Sequence, residues 1–291
     1  MNTPVLTVVI PHYNDLAGLD ACLTALDAQT LGREAFTVVV GDNASPQGGD
    51  AIQAVIRGRA ALVVEAMKGA ANARNAALPL VSTPYIAFTD SDCVPDPHWL
   101  AQGLACLQNG CADFYGGEMK VLPPAGRSMN GAEAFEYAFA FQNERYVQIG
   151  FSVTANLFVP TKIVTQVGGF VDGVSEDKDW CLRAGAAGYR IGYARGAIVR
   201  HPPRRDWQDL LVKWRRVHAE MAMLSRQQRG GRLAWLARTW AMPLSALAHT
   251  PQLLANRQLT ATEKLKALAT LYRLRAWRFV DGHRQLLKRP H

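Results

Sequence analysis

The chain has 291 residues, 49% of them hydrophobic, which suffices for one large or two modest domains with a real core. Its five cysteines form no C-x-x-C pair, which argues against a disulfide framework or a zinc site and favours a reducing cytosol. Residues 1–203 carry 14 Lys/Arg against 19 Asp/Glu, whereas residues 204–291 carry 18 against 5. Because Pro202 and Pro203 interrupt any regular element at this change of charge, we expect domains at 1–203 and 204–291.

The first part alternates strand patterns with helix patterns. Short β-branched apolar runs predict strands that are buried on both faces, at 6–10, 36–40, 61–65 and 85–89. Leucines spaced three and four apart from Leu16 to Leu26 predict a helix that begins at a cap, Asn14 or Asp15. Further helices are expected around 52–56 and at 70–78. This spacing predicts an α/β fold with a parallel sheet.

Polar residues follow three of these strands, in PHYND (11–15), GDNAS (41–45) and TDSD (89–92). Ligands of parallel α/β sheets bind beyond the carboxyl ends of the strands, so these segments are expected to converge on one crevice. The sequence contains neither G-x-G-x-x-G nor G-x-x-x-x-G-K-[ST], which argues against a dinucleotide-binding enzyme and a P-loop NTPase.

Two carboxylates, Asp90 and Asp92, stand two residues apart at the end of the fourth strand. Oxygen ligands at this edge suit Mg²⁺ or Mn²⁺ bridging to the phosphate oxygens of a diphosphate. The pattern is short, and an Asx-turn or helix cap at Asp92 is an equally simple explanation.

The order of several blocks along the chain is more specific than any one of them. These blocks are VVIPHYN (8–14), VVVGDNAS (38–45), GAANARNAA (69–77), YIAFTDSD (85–92), TANLFVP (154–160), VGGF (167–170), SEDKDWCLRAGAAGYRIGY (175–193) and IVRH (198–201). Their succession resembles the inverting family 2 glycosyltransferases of the GT-A fold, over roughly residues 5–201.

The resemblance implies a GT-A type α/β fold, with a mostly parallel central sheet flanked by helices and a basic helical C-terminal extension. It also implies transfer of a sugar from a nucleotide-diphosphate-sugar, UDP-sugar being favoured, to an acceptor hydroxyl on a glycan or lipid-linked acceptor in bacterial cell-surface polysaccharide or glycolipid synthesis. Two alternatives stay open: a metal-dependent nucleotidyltransferase, although PHYNDLAG lacks its glycine-rich loop, and a non-catalytic scaffold of the same fold.

The resemblance assigns donor contacts to four residues. Asp42 matches the acid that binds the base, although a turn-capping role within GDNAS is the alternative. Pro11 and Tyr13 match the wall beside the base and ribose. Arg74 is expected near the donor, and an exposed helix arginine is its alternative.

The resemblance also implies a cofactor site for Mn²⁺ or Mg²⁺. Asp92 is the expected metal ligand, with Asp90 closer to the sugar or ribose. His201 matches a histidine that completes the metal or diphosphate site in some relatives, and an ordinary edge histidine is its alternative.

A second pair of acids, Glu176 and Asp177, opens a predicted helix. Adjacent helical side chains point in different directions, so the two acids are not expected to share one task. By resemblance Asp177 is the general base for the acceptor hydroxyl and Glu176 contacts substrate, although helix capping explains both acids equally well. Trp180 is expected to stack on a sugar or to lie in the core. Asn156 and Gly117 are weaker substrate-pocket residues.

The tail is basic and helical. A capping box, Thr260 with Glu263, opens a predicted amphipathic helix with Leu265, Leu268, Leu271 or Tyr272, and Trp277 on one side. Residues 239–256 carry no charged side chain, but their prolines argue for a surface-lying segment and against a membrane span.

Two roles for this tail are open. It is expected either to dock on an anionic membrane surface, peripheral to the inner face of the cell membrane, or to pack on the catalytic domain as an ordinary basic helix. No nucleic-acid partner is expected, because the aromatic and basic residues do not interleave as in a known module. The expected location is cytoplasmic.

Overall fold

A computed structural model describes residues 3–172, 175–227 and 230–287. The described residues contain eight strands: β1 (Leu6–His12), β2 (Phe36–Asp42), β3 (Ala61–Val64), β4 (Tyr85–Phe88), β5 (Val94–Pro95), β6 (Phe114–Val121), β7 (Leu157–Pro160) and β8 (Ile191–His201). They form one sheet in the order β3-β2-β1-β4-β7-β6-β8-β5. Strands β1 to β4 pair in parallel, whereas β7 runs antiparallel to both β4 and β6. The four predicted strands and their parallel pairing are therefore confirmed. Burial on both faces was wrong for β3, which lies at the edge of the sheet and has Ala61 and Val64 exposed.

Twelve α-helices connect or follow the strands in the described residues. They are α1 (Leu16–Asp27), α2 (Gly48–Ile56), α3 (Ala70–Ala77), α4 (Trp99–Asn109), α5 (Gly131–Phe139), α6 (Asn143–Gln148), α7 (Thr161–Val167), α8 (Glu176–Ala186), α9 (Trp207–Gln227), α10 (Gly231–Trp240), α11 (Met242–Ala255) and α12 (Ala261–Leu287). The cap of α1 is Asp15, whose side chain accepts a hydrogen bond from the Gly18 N–H. None of the described helices has the length and apolar composition that a membrane span requires.

The chain divides into two compact units. The first comprises Met1–Lys120 and Phe141–His201, and the second comprises Val121–Ala140 and Pro202–His291. The segment 121–140 thus groups with the basic tail, although the sequence analysis assigned it to the first domain. The difference arises because α5 packs its apolar side on α12, far away in sequence.

The first unit has an apolar layer on each side of its sheet. Val8 and Ile10 belong to one layer, and Val9, between them, belongs to the other. Successive side chains of a strand point to opposite faces, so a continuous apolar run fills both layers. The continuous runs in the sequence follow from this double burial.

The second unit is a helical assembly with its own core. Phe135 of α5, Leu210 of α9, Leu253 of α11 and Leu271 of α12 are among its buried side chains. Its buried acids have partners, since Arg127 forms an ion pair with Glu133. Helices without a sheet bury their apolar stripes against one another.

The cap of α12 is confirmed, but its buried side differs from the predicted one. The Thr260 N–H donates to Glu263 Oε2 over 3.0 Å, and the Glu263 N–H donates to Thr260 Oγ1 over 3.3 Å. Leu271 and Leu274 are buried, whereas Leu265 is 69% exposed. The leucine positions predicted the wrong buried face of α12, because small residues such as Ala267 allow neighbouring helices to pack most closely.

Two helical glycines allow a test of packing in the first unit. A Cβ at Gly103 in α4 would lie 2.1 Å from Cε1 of the buried Phe158 ring, whereas a Cβ at Gly185 in α8 would meet nothing within 4 Å. We expect Gly103→Ala to lower the free energy of unfolding by about 1–3 kcal/mol through overpacking. The control Gly185→Ala should raise it by roughly 0.5–1 kcal/mol. Urea unfolding measures both, and equal effects would contradict the close approach of Gly103 to Phe158.

Candidate functional site

The ends of β1 and β2 place a histidine and a carboxylate side by side. His12 and Asp42 are register partners of the two parallel strands, and His12 Nδ1 lies 2.9 Å from Asp42 Oδ1. The Asp15 N–H donates to His12 Nε2 over 3.3 Å. When Nε2 accepts this bond, the ring proton is on Nδ1, which donates to Asp42.

Asp42 also holds the turn that follows β2. The Ser45 N–H donates to Oδ2 over 2.9 Å, and the Ser45 hydroxyl donates to Oδ1. With His12, these bonds occupy most of the acceptor capacity of a buried carboxylate. The geometry is that of the turn-capping alternative, and base binding by Asp42 stays a prediction. Of the residues expected beside the donor, Pro11 is buried in β1 and Tyr13 is 53% exposed.

Arg74 joins the two acidic segments of the first unit. Its Nη2 lies 2.7 Å from Asp90 Oδ1 and its Nη1 lies 3.1 Å from Glu176 Oε1. The side chain is only 3% exposed, and its guanidinium lies 5.8 Å from the centre of the Phe170 ring. The alternative of an exposed helix arginine is therefore wrong.

The charge of Arg74 is held by these partners. Burial by itself would lower the pKa of Arg74, but the charges of Asp90 and Glu176, and the hydrogen bonds to them, raise it above its ordinary value. A buried, permanently charged arginine requires the counter-charge of these two acids. The carboxylates after β4 and at the start of α8 are thus anchored to one cation.

The neighbouring residue, Asn75, fixes the loop that leads towards α8. Its Nδ2 donates to the Phe170 carbonyl over 2.7 Å, and its Oδ1 accepts from the Phe170 N–H over 2.8 Å. Arg183 of α8 donates to the carbonyls of Val167 and Gly169 over 2.8 and 2.7 Å. Loops need such partners because their backbone groups are not paired by secondary structure.

A group of possible metal ligands follows β4. One ligand atom from each of Asp90, Asp92 and Cys93 lies within 4.8 Å of the others. His201 is at the end of β8, and its Nε2 lies 3.2 Å from Asp92 Oδ2. The Phe141 ring packs against the imidazole of His201. Carboxylate oxygens with an imidazole suit Mn²⁺ or Mg²⁺, so the residues present fit such an ion. Burial raises the pKa of Cys93 well above its ordinary value, which keeps it a thiol and a poor ligand.

Glu176 and Asp177 point to different partners, as expected for adjacent helical residues. Glu176 binds Arg74, whereas Asp177 Oδ1 accepts from the Lys178 N–H over 2.7 Å and from the Ser175 hydroxyl over 3.1 Å. Burial raises the pKa of Asp177, and the hydrogen bond from Lys178 opposes the shift. A carboxylate with a raised pKa is a stronger base than an ordinary aspartate.

A family model, Glycosyl transferase family 2, matches residues 7–170, which is more than half of the chain. The chain belongs to glycosyl transferase family 2. Glycosyltransferase AglE of Haloferax volcanii is 31% identical over 224 residues, covering 74% of this chain and 72% of that protein. Pre-mycofactocin glycosyltransferase of Mycobacterium tuberculosis is 29% identical over 213 residues, covering 69% of this chain but only 44% of that protein.

Solved structures of glycosyltransferases share the fold. Mannosyltransferase PcManGT from Pyrobaculum calidifontis, in complex with GDP-Man and Mn²⁺, matches with a TM-score of 0.63 at 19% identity, over 99% of this chain and 88% of that chain. S. aureus TarS 1-349 in complex with UDP-GlcNAc matches with a TM-score of 0.53 at 19% identity, over 98% and 76%. The GT-A type fold predicted from the sequence is confirmed, and this family 2 chain is a glycosyltransferase.

The tryptophan expected at a sugar is a core residue. Trp180 is 0% exposed, its Nε1 donates to the Gly168 carbonyl over 2.9 Å, and its ring packs against Phe114 and Phe170. The expectation that Trp180 binds substrate is therefore wrong, and its alternative, a position in the core, is correct.

Asn156 and Gly117 are structural as well. Asn156 is buried, and it accepts from Trp99 Nε1 over 2.9 Å and donates to the carbonyls of Glu118 and Ala197. A Cβ at Gly117 would lie 2.3 Å from the Asn156 side chain. The expectation that these residues line a substrate pocket is corrected, because both are buried and the Asn156 amide already binds Trp99, Glu118 and Ala197.

Sequence reasoning missed three residues at this site: His12, Asn75 and Cys93. His12 could have been found, because it ends a predicted strand at the same edge as Asp42. Asn75 gave no signal, since its partner loop lies 95 positions away.

Arg74 allows a test of the link between the acids. We expect Arg74→Met to lower the free energy of unfolding by about 3 kcal/mol, because two carboxylates lose their common cation. The matched control is Arg190→Met, since Arg190 is 76% exposed and its contact with Asp113 spans 3.9 Å. Its effect should be close to zero. Equal losses of stability in urea unfolding would refute the buried link.

Proposed function

We propose that this glycosyltransferase is an inverting, metal-assisted hexosyltransferase. It would move a sugar from a nucleotide-diphosphate-sugar, with UDP-sugar favoured, to a hydroxyl of a glycan or lipid-linked acceptor in bacterial cell-surface polysaccharide or glycolipid synthesis. The observation that carries the proposal is two contacts between distant segments: Asp92 lies beside His201, and Arg74 joins Asp90 to Glu176.

Asp92 and His201 would hold Mn²⁺ or Mg²⁺ in the proposed site. The ion would offset the charge that grows on the departing diphosphate. Asp90 would lie on the sugar or ribose side, where Arg74 fixes one of its oxygens. The relative PcManGT was solved with GDP-Man and Mn²⁺, which supports a divalent ion here but leaves the base open.

Asp177 is the proposed general base. Its Oδ1 is occupied by Ser175 and Lys178, and among the described residues no hydrogen bond uses Oδ2. Oδ2 could therefore accept the proton of an acceptor hydroxyl as that oxygen attacks the anomeric carbon opposite the leaving diphosphate. Configuration would invert, without a covalent sugar–enzyme intermediate.

Two substitutions test the roles of donor ligand and base. We expect Asp92→Ala to abolish UDP binding in the presence of Mn²⁺, measured by isothermal titration calorimetry, because the diphosphate loses its bridge to the protein. Asp177→Asn should keep that binding but lower kcat for sugar transfer by roughly 10²–10⁴-fold. Because burial raises the pKa of Asp177, the wild-type rate should fall on the acid side at a pH above the ordinary aspartate range.

The control is Asp113→Ala, an acid outside this group that contacts Arg190. It should leave both UDP binding and turnover at wild-type values. Full turnover by Asp177→Asn would reject Asp177 as base, and absence of turnover by the wild type with every nucleotide sugar would favour the non-catalytic scaffold.

We also propose that the second unit rests on an anionic membrane surface, on the inner face of the cell membrane. Exposed apolar side chains recur along α10 and α11 with helical spacing: Trp240, Leu244, Leu247, Pro251 and Leu254. Leu244 is 68% exposed. Residues 221–262 contain no Asp or Glu, and arginines flank the apolar stripe. An apolar face bordered only by cations suits anionic lipid.

Liposome co-sedimentation tests this surface. We expect the wild type to bind vesicles with phosphatidylserine and not neutral vesicles, and Leu244→Asp with Leu247→Asp to remove binding, because two carboxylates would enter the lipid interface. The control Leu182→Asp changes an exposed leucine of the first unit. Equal binding to both vesicle types, or to neither, would contradict the proposal.

A further inference from the structure

The second unit buries an arginine without an acidic partner. Arg278 of α12 is 5% exposed, and its guanidinium lies 4.6 Å from the centre of the Trp214 ring. Among the described residues it forms no ion pair and no hydrogen bond. A cation over an indole face recovers only part of the cost of leaving water.

Two further arginines lie close to it. Burial, first, and then the charges of Arg275 and Arg238 lower the pKa of Arg278 to about 10. Burial also lowers the pKa of Arg275. In the part of the chain that the structure describes, neither of these arginines is paired with an acid. Three like charges without a counter-charge repel one another in a poorly solvated place.

The same place collects unused hydrogen-bond donors. Five buried side-chain polar atoms of the described residues lack a partner, and three of them are Arg275 Nε, Arg278 Nε and Trp214 Nε1. Among the described residues, the remaining nitrogens of both guanidinium groups have no hydrogen-bond partner either. Arg275 is partly exposed, so solvent reaches this place. All these atoms are donors, and none can accept.

The nearest acid along α12 does not compensate the charge. Asp281 Oδ2 lies 2.7 Å from His218 Nδ1 and accepts from Gln285 Nε2 over 3.2 Å. Burial, first, and then the charge of Arg278 lower the pKa of His218, although Asp281 opposes the shift. Asp281 is thus committed to His218 and Gln285.

We propose that Arg238, Arg275 and Arg278, with the indole N–H of Trp214, form a binding site for a phosphate or diphosphate group. Such a group brings negative charge and several acceptor oxygens, which match the forked donors of arginine. The chemistry is shared by a lipid phosphate headgroup and a soluble phosphate ester. The site lies within the second unit and does not depend on the proposed sugar transfer.

Pyrophosphate is the first probe, used on the full chain in EDTA at constant ionic strength, so that no divalent ion can bridge it to Asp92. At about ten times its Kd we expect the wild-type Tm to rise by roughly 3–6 °C. Arg278→Met should lose this rise while its Tm without pyrophosphate stays equal to or above the wild-type value, because a buried unpaired cation is removed. A merely structural arginine would instead lower that Tm.

The matched control is Arg284→Gln, an exposed arginine of the same helix, which should keep the full rise. Should Arg278→Met fail to fold, Arg238→Gln replaces it, since Arg238 is exposed and its loss should weaken the rise without affecting folding. Asp92→Ala should keep the response, so failure of the donor site and failure of this site are distinguishable.

Vesicles of phosphatidylcholine with phosphatidic acid distinguish the lipid source, with vesicles of phosphatidylcholine and oleate as the control, because oleate is anionic but carries no phosphate. A response to pyrophosphate, or binding to phosphatidic acid vesicles in excess of the control vesicles, supports the site if Arg278→Met abolishes it or its replacement Arg238→Gln weakens it. No response of the wild type to either probe, or an undiminished response of these variants, would overturn it.

Discussion

The first unit depends on one buried cation. Arg74 comes from α3, and it holds Asp90 after β4 and Glu176 at the start of α8, which are far apart in sequence. Asp177 follows Glu176 directly, so its position is set by the same ion pair. Asn75 and Arg183 fix the loop before this helix from its two sides. Without Arg74, the carboxylates of Asp90 and Glu176 would repel each other at a partly buried position, which is unfavourable.

The polar groups of this unit differ in whether their hydrogen-bonding atoms are already engaged by neighbouring residues. Asp42 and Asn156 are buried, with their acceptors and donors engaged by neighbours. The side chains of Asp90 and Asp92 are 31% and 36% exposed, and Oδ2 of Asp177 accepts no hydrogen bond from the described residues. A group can recognise a ligand only with atoms that the fold has not already paired. This distinction separates residues that build the glycosyltransferase site from those that can act in it.

The second unit shows the same contrast with the opposite charge. Its buried Glu133 and Glu136 pair with Arg127 and Lys213, whereas the described residues offer its buried Arg278 an aromatic face and no acid. Its apolar residues also differ in burial: α12 buries Leu271 and Leu274, whereas α11 exposes Leu244 and Leu247. A cation that is buried without an acidic partner and an apolar side chain that is exposed to water both cost free energy, so both mark places where a partner can bind.

The sequence by itself determined the parallel strands, the first helices, the cap of α12 and the meeting of carboxylates at the strand ends, because these follow from local periodicity and from the geometry of parallel sheets. It also carried the family resemblance. Only the tertiary structure decided that Arg74 is buried between two acids, that Trp180 and Asn156 belong to the core, and that α5 packs with the basic tail. Those outcomes rest on contacts between segments tens to more than a hundred residues apart, such as the 102 positions between Arg74 and Glu176. Local sequence does not indicate which distant side chain will supply the opposite charge or pack against an indole ring.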